Sequence, residues 1–251
     1  MLIQERQITI FNSRCNPVLQ GDHFVEVISQ ITAKYNFQEH PYLLWMQANS
    51  TSRSQFCQSQ LGFREAVESF SQAIAAVMAR VPRVENRLML VDNLAEEHGH
   101  GHLLRSHKYT FRQYLVALGA TEADLQTPVP IGVLGFNQSI LNYCLVQPAE
   151  FSAALLGMIE HLYIGISQTI AETIHDRGWT VPGSQSHYAV HEILDVEHSR
   201  ELFKISEPFW QEGRSSSRRG IIQAMNLAAY YFWNLYQDLQ PIGALKDGSH
   251  L

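Results

Sequence analysis

The run HEILDVEH, His191 to His198, places His191, Asp195 and His198 at positions i, i+4 and i+7. At about 100° per residue the three side chains of a helix fall within about 60° of one another, so all point the same way. With 12 histidines and 24 acids in 251 residues, roughly 0.05 such triplets are expected by chance. Leu194 and Leu202 flank the triplet on its own side, with Val190 and Ile193 nearby, so this face is expected to be buried. Two imidazoles and a carboxylate are costly to bury without a compensating partner such as a metal ion. Histidine and carboxylate together on one helix face suit iron, manganese or zinc. His187 lies one turn earlier and is expected to stand beside the ligands rather than among them.

Helical periodicity continues outward from this run. The triplet falls in a helix predicted over 186–205, and a further helix is expected over 216–238 with a serine of RSSSRRG as its N-cap. Upstream, apolar spacing predicts helices over 22–36, from Pro41 through PYLLWMQAN, and over 53–80, where Pro82 ends the stripe. More follow at 84–97, 103–118, 136–146 and 149–176, with PVPIG (128–132) read as a linker and Thr121 with Asp124 as a capping box. No run alternates long enough to read as a strand. The expectation is all-α, one domain over residues 1–251, with an irregular segment at 1–20 and a tail at 239–251.

Two other segments carry chemistry. Glu160 shares its helix face with Ala153, Gly157, Ile164 and Ser167, and a carboxylate among small and apolar residues is poor surface design. Gly157 in mid-helix costs about 1 kcal/mol against alanine, so the space beside Glu160 is expected to be used. In NLAEEHGHGHLLRSHKYTF, Glu96 and Glu97 end one helix and His107 opens the next, with Phe111 and Tyr114 on its face. His98, His100 and His102 sit in a glycine loop and are read as exposed. A ferritin-like reading would use Glu97–His100 and Glu172–His175 as two E-x-x-H pairs, but Gly99 interrupts the first and the second lies at a helix end.

Composition narrows the class. A net charge of −6 and an apolar fraction of 45% fit a globular acidic protein and argue against a nucleic-acid partner. Cys15, Cys57 and Cys144 are odd in number and far apart, so neither a disulfide framework nor a zinc knuckle is expected. No stretch reads as a membrane span, and Glu5 and Arg6 precede any long apolar run, so no signal peptide is read. A cytoplasmic protein with reduced thiols is expected.

NLAEEHGHG...SH, followed by Glu160 and the His-x3-Asp-x2-His helix 31 residues on, resembles the iron-containing, haem-oxygenase-like oxidases. It is similar to the CADD proteins and more distantly to TenA and PqqC. The resemblance spans roughly residues 20–240 and implies a haem-oxygenase-like helical bundle. It implies a metal set of Glu97, His107, Glu160, His191, Asp195 and His198, with alignment on the motif choosing Glu97 over Glu96. Two Fe(II) ions, O₂ as co-substrate and oxidation of a small amino- or carboxylic-acid metabolite follow from it, with an external electron donor and a homodimer as further expectations. The alternatives are a TenA-like hydrolase without metal, using Cys57 or Cys144, and a binding module with a vestigial site.

Overall fold

A computed structural model describes residues 23–179 and 187–240. The expected N-terminal segment, the tail beyond residue 240, Cys15, Pro182 and Gly183 lie outside the described residues. Ten α-helices follow one another among the described residues, with short 3₁₀ turns between some of them and no strand. They are α1 Phe24–Lys34, α2 Pro41–Gln47, α3 Arg53–Leu61, α4 Arg64–Arg80 and α5 Val84–Glu97. Then come α6 His107–Ala117, α7 Ile131–Val146, α8 Ala149–Asp176, α9 His187–Gln211 and α10 Ser215–Leu239.

Helix α8 is the axis of the bundle. Its residues from Ser152 to Glu160 are buried without interruption, so every face of that stretch meets protein. Helix α9 packs along it, α10 covers another side, and α4 pairs with α7. The burial accounts for the one helix among the described residues that is long and apolar enough to cross a membrane. That helix is α8, and 67% of its apolar window lies inside the bundle. The sequence expectation that no stretch has this character is corrected on that point.

Several helix boundaries differ from the sequence expectation. The helix expected over 53–80 is broken at Gly62 and Phe63, where Phe63 N–H bonds to the Gln60 carbonyl and Ala66 N–H to that of Phe63. Pro130 packs so closely on Gly62 that a Cβ there would lie 2.8 Å from its ring. Helix α7 begins at Ile131, inside the segment read as a linker. Gly132 and Gly135 weaken its local propensity, but Gly132 sits against the Asp238 side chain of α10, and that packing outweighs propensity. Helix α9 continues to Gln211 with Pro208 in its last turn. The N-cap of α10 is Arg214, not a serine. The capping box is present: Thr121 N–H donates to Asp124 Oδ2 at 2.8 Å and Asp124 N–H to Thr121 Oγ1 at 3.2 Å.

At Gly157 the side chains of α9 lie directly on the α8 backbone. A Cβ there would lie 2.9 Å from the Phe203 ring and 3.2 Å from Leu202 Cβ. The room expected beside Glu160 at Gly157 is therefore taken by Phe203 and Leu202 of α9, and Gly157 does not line the pocket described below. Gly157→Val is expected to destabilise the protein by about 1–3 kcal/mol through overpacking, measured by denaturant unfolding. An unchanged midpoint would contradict this close approach.

Candidate metal centre

Four helices deliver the site. Glu97 is the last residue of α5 and His107 the first of α6, and the HGHGH turn folds them back on one another. That turn needs its glycines. Gly99 has φ +61°, and a Cβ on it would meet the backbone of Arg105 and Ser106 at 2.5 and 2.6 Å. His107 Nδ1 then lies 3.0 Å from Glu97 Oε1. Glu160 enters from the middle of α8. His191, Asp195 and His198 enter from α9, with the shared orientation expected of their spacing.

All six expected metal residues are buried in this one region. His191 Nδ1 is 2.9 Å from Asp195 Oδ1. His198 Nδ1 is 3.8 Å from the same oxygen, and its Nε2 is 2.6 Å from Glu96 Oε2. The rings of His107 and His191 are 4.5 Å apart between centroids. Ligand atoms of Glu160, Asp195 and His198 lie within 4.8 Å of one another.

The electrostatics are those of crowded charge in a dry place. Burial first, and then the charges of Asp195 and Glu97, push Glu160 well above the usual carboxylate range. Burial opposes protonation of His191, but the Asp195 charge and hydrogen bond, with Glu97, outweigh it and raise its pKa. Burial would raise Asp195, yet His191 and His198 hold it below its ordinary value. His187 is driven well below the usual histidine value by burial and by His191 and His107, so it is neutral. Among the described residues, four buried ligand-type atoms have no hydrogen-bond partner: Glu160 Oε1, His191 Nε2, Asp195 Oδ2 and His198 Nδ1. Buried polar atoms are nearly always satisfied, so a group of four orphans at one place needs a reason. A cation bound among them supplies one, and the donor set of imidazole and carboxylate fits iron.

Beside the polar cluster is a small cavity of about 50 Å³. Phe63, Phe70, Phe136, Tyr163 and Phe232 supply aromatic walls, and Glu97, His107, Glu160, His187 and His191 line the same cavity. A surface cleft containing Ser71, Gln72, His98 and Lys108 shares Val67, Glu97 and His107 with it. Of the residues expected around the ligands, His187 is in place, its ring 4.3 Å from that of His191. Phe111 lies behind His187 at 4.9 Å, and Tyr114 packs on Phe111 and Tyr188, so both support the cavity wall from outside.

Sequence reasoning missed three residues. Asn93, buried on α5, adjoins Glu160, and its i, i+4 relation to Glu97 was the available signal. Tyr163 lies one turn beyond Glu160, its ring 5.3 Å from His191. Glu96 was weighed only as a substitute for Glu97, whereas it reaches a different histidine. The ferritin-like pairs are not assembled: His100, Glu172 and His175 are exposed. His98 and His102 are exposed as well. Cys57 and Cys144 are both buried. Burial pushes the Cys144 thiol up to about 12 and raises Cys57, with Asp124 adding to the effect. Neither is activated as a nucleophile would be.

Residues 65–232, more than half of the chain, match the family described as iron-containing redox enzymes, and the chain belongs to that family. Among curated proteins it is 22% identical to 4-aminobenzoate synthase of Chlamydia muridarum over 71% of this chain and 75% of that one. The Chlamydia trachomatis protein of the same name is 21% identical over 71% of this chain and 77% of its own length. Among solved structures, a TenA homologue from Pyrococcus furiosus superposes with a TM-score of 0.68 at 13% identity, covering 86% of this chain and 100% of that one. A CADD-like protein from Nostoc punctiforme gives 0.61 at 15% identity, covering 85% and 99%. A Shewanella denitrificans domain with a heme-oxygenase-like fold gives 0.68 at 10% identity, covering 89% and 93%. The fold is the haem-oxygenase-like helical bundle.

Two measurements check this arrangement. In the folded protein, Cys57 and Cys144 are expected to resist a thiol reagent and to react after denaturation, as read by peptide mass mapping. Fast labelling of either one with loss of activity would favour a thiol hydrolase. The triple variant His98→Ala, His100→Ala, His102→Ala is expected to bind as much iron as the wild type. Loss of that iron would transfer the site to the loop.

Proposed function

We propose that this chain is an O₂-dependent oxidase. It would hold two Fe(II) ions among Glu97, His107, Glu160, His191, Asp195 and His198 and oxidise a small organic substrate. The observation that carries this reading is the group of four buried, unpartnered ligand atoms on Glu160, His191, Asp195 and His198. Three carboxylates and three histidines provide hard and borderline donors for Fe(II). Bound iron supplies the redox chemistry with O₂ that no side chain here has.

The remaining work belongs to the protein. Asp195 accepts from His191 Nδ1–H, which leaves the Nε2 lone pair for a metal. Glu160, beside Asp195 of α9 and Glu97 of α5, would offer its carboxylate to bound iron. Neutral His187 backs His191 without adding charge. The phenylalanines and Tyr163 keep bulk water from the reacting end of the cavity.

The cavity also bears on the substrate. Among the described residues no lysine or arginine lines it, so there a carboxylate on the substrate would find its cation at the metal or outside the aromatic walls. A flat or apolar body fits those walls. A small amino- or carboxylic-acid metabolite meets both conditions, and the name of the relatives, 4-aminobenzoate synthase, whose product is itself an aromatic amino acid, supports that reading.

The direct test is anaerobic titration with Fe(II), followed by exposure to O₂ with oxygen uptake and visible absorption recorded. Two ions per chain and rapid oxygen uptake are expected. A chain that binds no iron under these conditions contradicts the proposal. Glu160→Gln separates ligand from structural roles. It is expected to lose tight iron binding while the metal-free protein becomes more stable near neutral pH, by roughly 1 kcal/mol or more, because folding no longer has to protonate a carboxyl that is ionised in the unfolded chain. Loss of binding together with loss of stability would point to a folding defect instead.

A further inference from the structure

We infer that Glu96 is a positioning residue that sets which nitrogen of His198 faces the metal; the inference rests on the proposed role of His198 as a ligand. Glu96 and Glu97 are neighbours in the last turn of α5, and consecutive helix positions point about 100° apart. Glu97 reaches His107 on α6, and Glu96 reaches His198 on α9. Two adjacent carboxylates at the C-terminal end of a helix stand at the negative pole of its dipole, an unfavourable place for both. Glu96 is nonetheless held inward, its side chain 29% exposed and its Oε2 2.6 Å from His198 Nε2.

A neutral imidazole carries its proton on one nitrogen and a lone pair on the other. Two carboxylates compete for the His198 proton. Glu96 lies at hydrogen-bond distance from Nε2, whereas Asp195 Oδ1 lies 3.8 Å from Nδ1. The short contact puts the proton on Nε2 and turns the Nδ1 lone pair toward Glu160 and Asp195, where ligand atoms converge within 4.8 Å. Without Glu96, no carboxylate stands at hydrogen-bond distance from Nε2, the nearest remaining ones are Asp195, 3.8 Å from Nδ1, and Glu160, and the proton moves to Nδ1, the nitrogen a metal needs. His191 has the same arrangement in mirror form, with Asp195 on Nδ1 and Nε2 free. Each of these imidazoles thus has one nitrogen against a carboxylate and the other open.

The test compares the wild-type chain with Glu96→Gln and Glu96→Ala, all first shown by circular dichroism to keep their helix content. Glutamine still offers an oxygen to Nε2–H and alanine does not. In anaerobic Fe(II) titrations, Glu96→Ala is expected to bind one ion roughly 10- to 100-fold more weakly, while Glu96→Gln stays within about threefold of wild type. Nitrogen-15 NMR of histidine-labelled, metal-free protein reads the tautomer itself: the proton on His198 Nε2 in wild type and Glu96→Gln, and on Nδ1 in Glu96→Ala. Wild-type affinity and an unchanged tautomer in Glu96→Ala overturn the inference and leave the oxidase reading intact. An equal loss in both variants also overturns it, since Glu96 would then act through its charge or as a ligand. A wild-type chain that takes up no iron overturns the oxidase reading and this inference together.

Discussion

Glu160 is a carboxylate in the middle of a helix that is buried on every side, and it faces Asp195 and Glu97. Desolvation and like charge both oppose its ionised form there. The surrounding architecture answers that constraint. Helix α9 brings two histidines and an aspartate to the same place, α6 brings a third histidine, and α5 contributes Asn93, Glu96 and Glu97. Hydrogen bonds join His191 to Asp195 and His198 to Glu96, and His107 stands 3.0 Å from Glu97. The atoms left over are those that a bound cation would satisfy.

The packing around the cluster is arranged for close approach. Gly157 lets the Phe203 and Leu202 side chains of α9 lie directly on the α8 backbone, which holds α9 close to the helix that carries Glu160. Gly99 lets the chain turn back within a few residues, which sets the reach from Glu97 to His107. Both glycines act through geometry at a distance from any reacting atom. The aromatic cavity lies on one side of the cluster and Glu96 on another, so the polar groups are divided between those that face a substrate and those that hold a ligand in place.

Fold similarity alone leaves activity open, because TenA-like proteins share this bundle. The local chemistry separates the readings. Both described cysteines are buried with raised pKa values and have no carboxylate or histidine arranged to activate them. The carboxylates and histidines are gathered at the opposite kind of place, a shared interior cluster. The family match to iron-containing redox enzymes agrees with that distribution.

The i, i+4, i+7 spacing of His191, Asp195 and His198 made one face of α9 legible from sequence, because helical geometry alone aligns those positions. The apolar periodicities made most helices legible for the same reason, and the glycine loop announced the turn between α5 and α6. What sequence could not determine depends on contacts between residues far apart in the chain. The break at Gly62 comes from Pro130, the early start of α7 from packing against α10, and the role of Gly157 from Phe203. Glu96 and Glu97 are equivalent as neighbouring letters. Only the placement of α6 and α9 around the end of α5 decides that one meets His107 and the other His198, because side chains 100° apart on a helix meet whatever the tertiary fold has put in those two directions.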